Sequence, residues 1–543
     1  MVASLGKFVS LLLPLAALAL GKRTLPPRPS VPSAMAPEEV AVVDRNGSTI
    51  PPYTTTYYFD QLIDHTKPQL GTFKQRFWHT WEFYVADGPI ILMTPGEANA
   101  QGYSGYLTNR TINGQLAQQE NGATIVLEHR FYGLSNPYPS LDDESLKLNT
   151  IQQAVDDLDY FARNVKLAMP GGDNVKPGQA KWVLMGGSYS GALTSWTMVN
   201  KPGLFHAGYS SSGVVEAIVD YWGYFEPIRQ NMPVNCSADV EAVITYIDKT
   251  FTGRNTTAIN EIKSLFGLSA LTHLDDVAGA LRNNLWDWQS LQPNSGAGTT
   301  FTQFCDALEV KDGVSASAKG QGLQHALQAW GNFWTKGGYL ADLCGDADIV
   351  DCLGSYDATS DYYTNTTIDN AGRSWYWMVC NEVGFLQDGA PANHPTLVSR
   401  LIQPAYDQRQ CSLMFPKAFS ATSVPKANAV NAKFRGWNVK IDRLFFANGQ
   451  RDPWREATMS ADGLNVQSTD RQPIAVSDGF HCSDLSTATG NVDATVKAVQ
   501  QKALASFHVW LAEDTKHKRS IMDVALETLK GVKVSRSEGS LGA

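Results

Sequence analysis

Uninterrupted apolar runs bounded by turn residues mark the first third of the chain. Pro89-Ile90-Ile91-Leu92-Met93-Thr94 ends in Pro95-Gly96-Glu97, and Ala123-Thr124-Ile125-Val126-Leu127-Glu128 follows. Runs without polar alternation fit strands buried on both faces of a parallel sheet. From Ile151 to Ala168, apolar residues at 151, 155, 158, 161, 162 and 165 form a stripe at helical spacing. A further apolar run, Lys181–Gly186, leads into a serine-bearing turn and a helix that continues through Val199. Strand, helix, strand, turn and helix in this order predict a doubly wound α/β fold.

Near residue 210 the pattern changes. Val214 to about Val430 carries several helical stripes, loops rich in Gly, Ser, Thr and Asn, and six of the seven cysteines. Aromatic clusters occur there at Tyr221–Phe225 and Trp375–Trp377. Strand-like segments return at Arg443–Ala447 and Gln472–Val476, and an amphipathic helix closes the pattern from about Asp493 to Leu511. The division that follows is a first part of an α/β core at 43–212, an inserted, mostly helical, disulfide-bearing cap domain at 213–431, and the rest of the core at 432–515. A basic, weakly helical stretch, Lys516-His517-Lys518-Arg519, opens a C-terminal tail at 516–543 that ends in a loose Ser/Gly-rich segment.

The amino-terminal pattern sets the compartment. Lys7 precedes an apolar run, Phe8–Leu20, that ends in small residues. It reads as a signal peptide at 1–21, too short to span a membrane. Lys22-Arg23 is a dibasic processing candidate, and the Pro- and Ala-rich stretch after it reads as a disordered pro-segment or arm at 22–42. Secretion is the expectation, with a lysosomal or vacuolar destination as the alternative. Sequons at Asn46, Asn109, Asn235, Asn255 and Asn365 agree with it. So does the cysteine count, which allows three disulfides and a free thiol; Cys344 and Cys352, close in sequence, are the easiest pair to assign. The chain of 543 residues carries 44 Lys and Arg against 53 Asp and Glu, a formal charge of -9. That gives no electrostatic support to nucleic-acid binding. No CxxC or His-rich spacing points to a metal, and neither cofactor nor membrane partner is expected. Monomer and homodimer both stay open.

The candidate chemistry lies in three loops, each just past a strand. A serine hydroxyl needs a base to take its proton, and the base needs a third group to orient it. The α/β-hydrolase order is Ser, then Asp or Glu, then His. Here Ser188 follows the third apolar run, Asp452 lies in Asn448-Gly449-Gln450-Arg451-Asp452-Pro453-Trp454, and His481 lies in Ser477-Asp478-Gly479-Phe480-His481. Singly, each has a bland reading: a Gly-Ser turn, an Asp-Pro turn starter, a structural His. Together, in order and at strand ends, they predict a nucleophile, orienting acid and base. Gly186-Gly187-Ser188-Tyr189-Ser190-Gly191 offers two serines. Ser188 comes first after the strand, at the tip of the turn, whereas Ser190 falls in the first helical turn, where its hydroxyl can cap. The oxyanion donors expected are the amide of Tyr189 and one from the Pro95-Gly96-Glu97-Ala98 loop, where Gly96 allows close backbone approach.

At these residues the chain resembles the serine peptidase family of Pro-X carboxypeptidase and dipeptidyl peptidase II, and within it the secreted acid prolyl endopeptidases of filamentous fungi. The matching pieces are Phe59-Asp60-Gln61-Leu62-Ile63-Asp64-His65, Thr94-Pro95-Gly96-Glu97, Glu128-His129-Arg130-Phe131-Tyr132-Gly133, the Gly186–Leu193 turn, Cys380-Asn381-Glu382, Asn448–Trp454 and Gly479-Phe480-His481-Cys482. They span nearly the whole mature chain. The resemblance implies an α/β-hydrolase core with a helical cap, and cleavage on the carboxyl side of proline by Ser188, Asp452 and His481. Carboxypeptidase members have Gly where Ser190 stands, which favours the endopeptidase side. The resemblance places Trp454 in the proline pocket, with Trp375, Trp377 and Tyr189 as lesser candidates. It also singles out Glu97 and Glu382, as holders of a substrate terminus or, protonated, of a peptide carbonyl.

The resemblance implies acid activity, yet a His base must be neutral to work. Asp478 and Asp484 flank His481 and, if close, favour its charged form. Proline-containing peptides and proteins are the expected partners. A proline-specific exopeptidase, a secreted esterase and a non-catalytic binding protein on the same fold are the alternatives.

Overall fold

The computed structural model describes residues 26–36 and 41–531, with side chains described through Glu513. The stretch assigned to the signal peptide, the Lys22-Arg23 pair and the last residues of the tail lie outside the described residues.

An eight-stranded sheet forms the centre. Its strands are β1 (Thr56–Leu62), β2 (Thr72–Thr80), β3 (Ile90–Met93), β4 (Ala123–Leu127), β5 (Trp182–Gly187), β6 (Ala207–Ser211), β7 (Leu444–Gly449) and β8 (Ile474–Ser477). From one edge the order is β8-β7-β6-β5-β3-β4-β2-β1. β2 runs antiparallel to both neighbours, and every other pairing except β1 with β2 is parallel. This is an α/β-hydrolase core. The apolar runs are its parallel strands: Ile90, Ile91, Leu92, Leu184, Phe445 and Phe446 are fully buried. Helices that pack on the sheet strands include α1 (Ile151–Asn164), α2 (Ser188–Asn200) and α3 (Ala494–Gly531).

Register brings the business ends of the strands level. Gly187 of β5 pairs with Ser211 of β6, and Gly449 of β7 with Ser477 of β8. Three loops leave the same end of the sheet from β5, β7 and β8, so residues distant in sequence meet there.

The chain leaves the sheet after β6 and returns at β7. Between them it is mostly helical, from Val234–Phe251 to Ala427–Phe434, with a short parallel pair, Ile218–Asp220 and Gly384–Leu386. Three disulfides staple this insertion: Cys236–Cys305, Cys344–Cys352 and Cys380–Cys411. Cys482 is free and buried.

Two boundaries differ from the sequence pattern. α1 stops at Asn164, because Val165 turns extended (ψ 143°) and packs into the core as non-helical chain, only 3% exposed. α3 continues past Leu511, where the amphipathic pattern ends, through the weakly helical basic stretch to Gly531. The basic, Ala- and Leu-bearing sequence there has good helix formers and no Pro or Gly before Gly531 to stop it.

Candidate active site

β5 ends by handing the chain directly to α2, and Ser188 sits at the junction with φ +60°. A non-glycine residue in that region is strained, and such strain concentrates at functional turns. The turn closes only because its neighbours are small. A Cβ on Gly186 would lie 2.1 Å from the Ser190 carbonyl oxygen. Ser190 does cap: its hydroxyl accepts from the Gly187 N–H at 3.1 Å and donates to the Gly187 carbonyl at 2.8 Å. The two serines therefore have different partners, since Ser188 Oγ faces His481 Nε2 at 2.7 Å.

His481 Nδ1 in turn meets Asp452 Oδ1 at 2.8 Å, and the same oxygen accepts from the Trp454 N–H at 2.9 Å. The loops after β7 and β8 touch to allow this: a Cβ on Gly449 would lie 2.5 Å from the carbonyl oxygens of Gly479 and Phe480. Burial alone would lower the His481 pKa, but the Asp452 carboxylate outweighs it and holds the imidazole well above its ordinary value. The neighbouring Cys482 thiol adds no charge below its own pKa, which burial raises. Of the flanking acids, Asp478 is exposed. Asp484 is buried and accepts from the Tyr209 and Ser211 hydroxyls; burial lifts its pKa to about 6.

The Tyr189 amide, next to the nucleophile, donates to the carbonyl of Pro29 at 2.9 Å. Residues 26–36 thus cross this site as held chain, where the sequence reads as a loose arm. Proline-rich chain has little backbone freedom to lose, and its free carbonyls find donors in the cleft. Pro29 is buried. Trp454 is 1% exposed and packs on Tyr221, Tyr224 and Phe385 with ring centroids 5.2–5.5 Å apart. Trp375 packs edge-on to Tyr189 at 5.4 Å and lines one cavity with Trp454, Phe385 and Pro26–Arg28.

The sequence profile described as serine carboxypeptidase S28 matches residues 61–503. The chain belongs to that family. Among its relatives, serine protease vicPb of Bipolaris victoriae (strain FI3) is 33% identical over 89% of this chain and 92% of its own. A probable extracellular serine carboxypeptidase of Arthroderma benhamiae is 34% identical over 75% of this chain and 59% of its own. Thymus-specific serine protease of Homo sapiens is 24% identical over 84% and 86%. This S28 member is a serine peptidase.

The other expected site residues of the S28 chain have varied surroundings. The Gly96 N–H donates to Thr94 Oγ1 at 3.3 Å, and the φ of +79° at Gly96 brings the loop against Tyr189 and Ser190. Trp377 packs on Phe415 and Phe419 within the insertion, away from Trp454. Glu382 accepts the Ile151 N–H at 2.9 Å and so caps α1, a site for which a carboxylate suits the helix amides. Burial raises its pKa to about 7. Glu97 is fully buried beside the cleft, and neither carboxyl oxygen has a hydrogen-bond partner outside its own residue. Burial raises its pKa to about 8, against the opposing charges of Arg28 and His481. Asn235 is 9% exposed with its amide turned to Ser315 and Ala316, unlike the exposed Asn46, Asn109, Asn255 and Asn365, so burial removes it as a glycan acceptor. Among the described residues, the one cluster of metal-ligand types is Cys236, Cys305 and Glu309, and its two sulfurs are bonded to each other.

The S28 site also uses residues that carry no motif. Gln289, from the insertion, accepts from Trp454 Nε1 at 2.7 Å and Tyr224 Oη at 3.1 Å, which leaves its NH₂ to donate to the Arg28 carbonyl at 2.8 Å. Gln387 donates to the Pro27 carbonyl at 3.3 Å. The Glu128–Gly133 motif acts as scaffold. Glu128 receives Arg76, the Ala100 N–H and the Ser135 hydroxyl, and His129 Nε2 meets the Tyr189 hydroxyl at 3.1 Å.

Proposed function

We propose that this chain is a secreted prolyl endopeptidase that cuts on the carboxyl side of proline and works on the acid side of neutrality. Ser188 is the nucleophile, His481 its general base and Asp452 the orienting acid. His481 takes the hydroxyl proton as Ser188 attacks the proline carbonyl, then passes it to the leaving amine. Water, activated by the same imidazole, hydrolyses the acyl-enzyme. The Tyr189 amide meets the negative charge that develops on the oxygen, a place where one donor is worth ~10²–10³ in rate.

The observation that carries the reading is Pro29. A buried proline carbonyl lies on the amide beside the nucleophile, with polypeptide running on both sides of it. That favours proline before the cut, and a cleft that admits the middle of a chain. The aromatic wall of Trp454, Tyr221, Tyr224 and Phe385 suits a rigid apolar ring. Secretion draws support from the apolar amino-terminal run, the three disulfides and an extracellular relative.

The test is mass spectrometry of a proline-rich protein digested at several pH values, paired with a proline peptide blocked at both ends. Internal peptides ending in proline, and cleavage of the blocked peptide, are expected. Release of terminal fragments alone would give the exopeptidase alternative the better case.

A further inference from the structure

We propose that residues 26–36 are a tethered inhibitor lying in the catalytic cleft in substrate register, with Pro29 in the place of the residue whose carbonyl is attacked. The inference rests on the prolyl reading above and adds a regulator and a preferred sequence to it.

Contacts run along the whole segment rather than at one anchor. On the amino-terminal side, Gln387 holds the Pro27 carbonyl, Gln289 the Arg28 carbonyl, and Arg28 Nη1 donates to the Glu97 carbonyl at 2.8 Å. At the centre lies Pro29 on the Tyr189 amide. On the carboxyl-terminal side, the Tyr103 and Tyr106 hydroxyls donate to the carbonyls of Val31 and Pro32. Ala34 then pairs through its backbone with Gly102 and Gly105. With the segment in place, Ser188 is 0% and His481 2% exposed, so no second peptide reaches the nucleophile.

An arm that served only to tie down the amino terminus would need none of the contacts at Tyr189, Gln289 and Gln387. These are donors to successive main-chain carbonyls, which is how a cleft reads a peptide whose side chains vary. Two side chains are read as well. Arg28 Nη1 bonds the Glu97 main-chain carbonyl, next to that residue's buried carboxyl. Val31 is 3% exposed and packs against Gly187, where a Cβ would meet it at 2.5 Å. The cleft therefore favours a basic residue before proline and an apolar residue two places after it.

The segment is bent where a substrate would be cut. The Ser30 N–H donates back to the Arg28 carbonyl at 2.8 Å, closing a three-residue turn around Pro29. A substrate chain accepted by the same donors would lie more extended. The turn explains how a peptide in register stays bound and uncut. Tethering sets an effective concentration near the millimolar range. A segment that binds in trans with a dissociation constant of about 10–100 μM would then occupy the cleft ~90–99% of the time and mask activity ~10–100-fold.

The test uses the full chain, with residues 26–36 verified by intact mass. Its kcat/KM on a doubly blocked Arg-Pro-Ser-Val peptide is compared with that of Pro29→Asp/Val31→Asp, which expels the segment by placing carboxylates where only buried space exists. A rise of 10-fold or more supports inhibition; equal rates overturn it. A synthetic peptide of residues 26–36 should inhibit the double variant competitively, and its Arg28→Ala form should bind at least 10-fold more weakly. Failure of the parent peptide to compete overturns the register. Circular dichroism and labelling by a serine-directed phosphonate confirm that the variant is folded. The two readings fail separately. A double variant that gains activity equally on peptides without proline sinks the prolyl reading and leaves inhibition standing. A full chain already fully active on proline peptides does the reverse.

Discussion

Ser188 and Ser190 sit two places apart in one turn yet have separate fates, because only the first faces the imidazole. Ser188→Ala is expected to lower kcat by ~10⁴ or more with the fold intact, read by turnover and thermal melting. Ser190→Gly loses two local hydrogen bonds and places Gly in the first helical turn, a cost of about 2–4 kcal/mol, and should largely keep activity. Gln289 gives a sharper test of the cleft. Gln289→Leu removes the acceptor of Trp454 and Tyr224 and the donor to the peptide, and kcat/KM should fall ~10–100-fold, mainly through KM. The candidate triad was legible in the sequence because each member follows a strand in a fixed order. Gln289 was not: it lies in a turn without a motif, and its importance comes from two aromatic donors that reach it only in space. Trp377 misled for the converse reason, since sequence adjacency to Trp375 on one helix says nothing of which face each takes.

At the level of elements, the strands were readable because a parallel sheet covered on both faces demands unbroken apolar runs. What the pattern could not show is how loops and helices are locked to that sheet by buried charge. Asp157 of α1 accepts from Arg130 Nε at 2.6 Å and Nη2 at 2.5 Å, and meets His65 Nε2 at 2.7 Å, joining α1, the loop after β4 and the end of β1. Burial works against the Asp157 carboxylate, but Arg130 and His65 more than offset it and hold its pKa below the usual value. Arg130 and Asp157 are almost wholly buried. Asp157→Asn leaves the Arg130 charge without its counterion and should destabilise by about 3–5 kcal/mol, measured as a lowered Tm and a fall in soluble yield. Charged residues read as surface in a sequence, so only the motif around Arg130 hinted that this one is interior.

For the whole molecule, two sets of groups pull the pH window apart. Burial raises Glu97 from 4.5 to about 8 and Glu382 from 4.5 to about 7. A carboxyl with a raised folded pKa binds its proton more tightly in the native state. Folding therefore loses stability as pH rises from the unfolded value through the folded one. His481, raised above its ordinary 6.5, acts in the same direction. Burial lowers His79 and His129 from 6.5 to about 4, so these two cost stability only as pH falls below 6.5. Between pH 6.5 and 8 the signs no longer conflict. Tm should fall across that interval, and Glu97→Gln should flatten part of the slope, as differential scanning calorimetry would show; a Tm that climbs toward pH 8 would contradict the assignment. The fold thus favours acid, while the chemistry needs a neutral His481. Acid-side activity therefore requires bound substrate and the apolar walls around it to bring the His481 pKa down again.

The crossing of the cleft by residues 26–36 also fixes an order in time. Arg28 and Pro29 leave the ribosome early, but their partners include Tyr189, Gln289 and Gln387, and the imidazole they shield is residue 481. At ~5–20 residues per second, that histidine follows by roughly half a minute or more. A nascent chain that ends before Asp452 has a serine without its base. On the proposed reading, the last piece of the candidate catalytic apparatus and the seat of the inhibitory segment are finished together, so synthesis passes through no stage at which a complete site stands open.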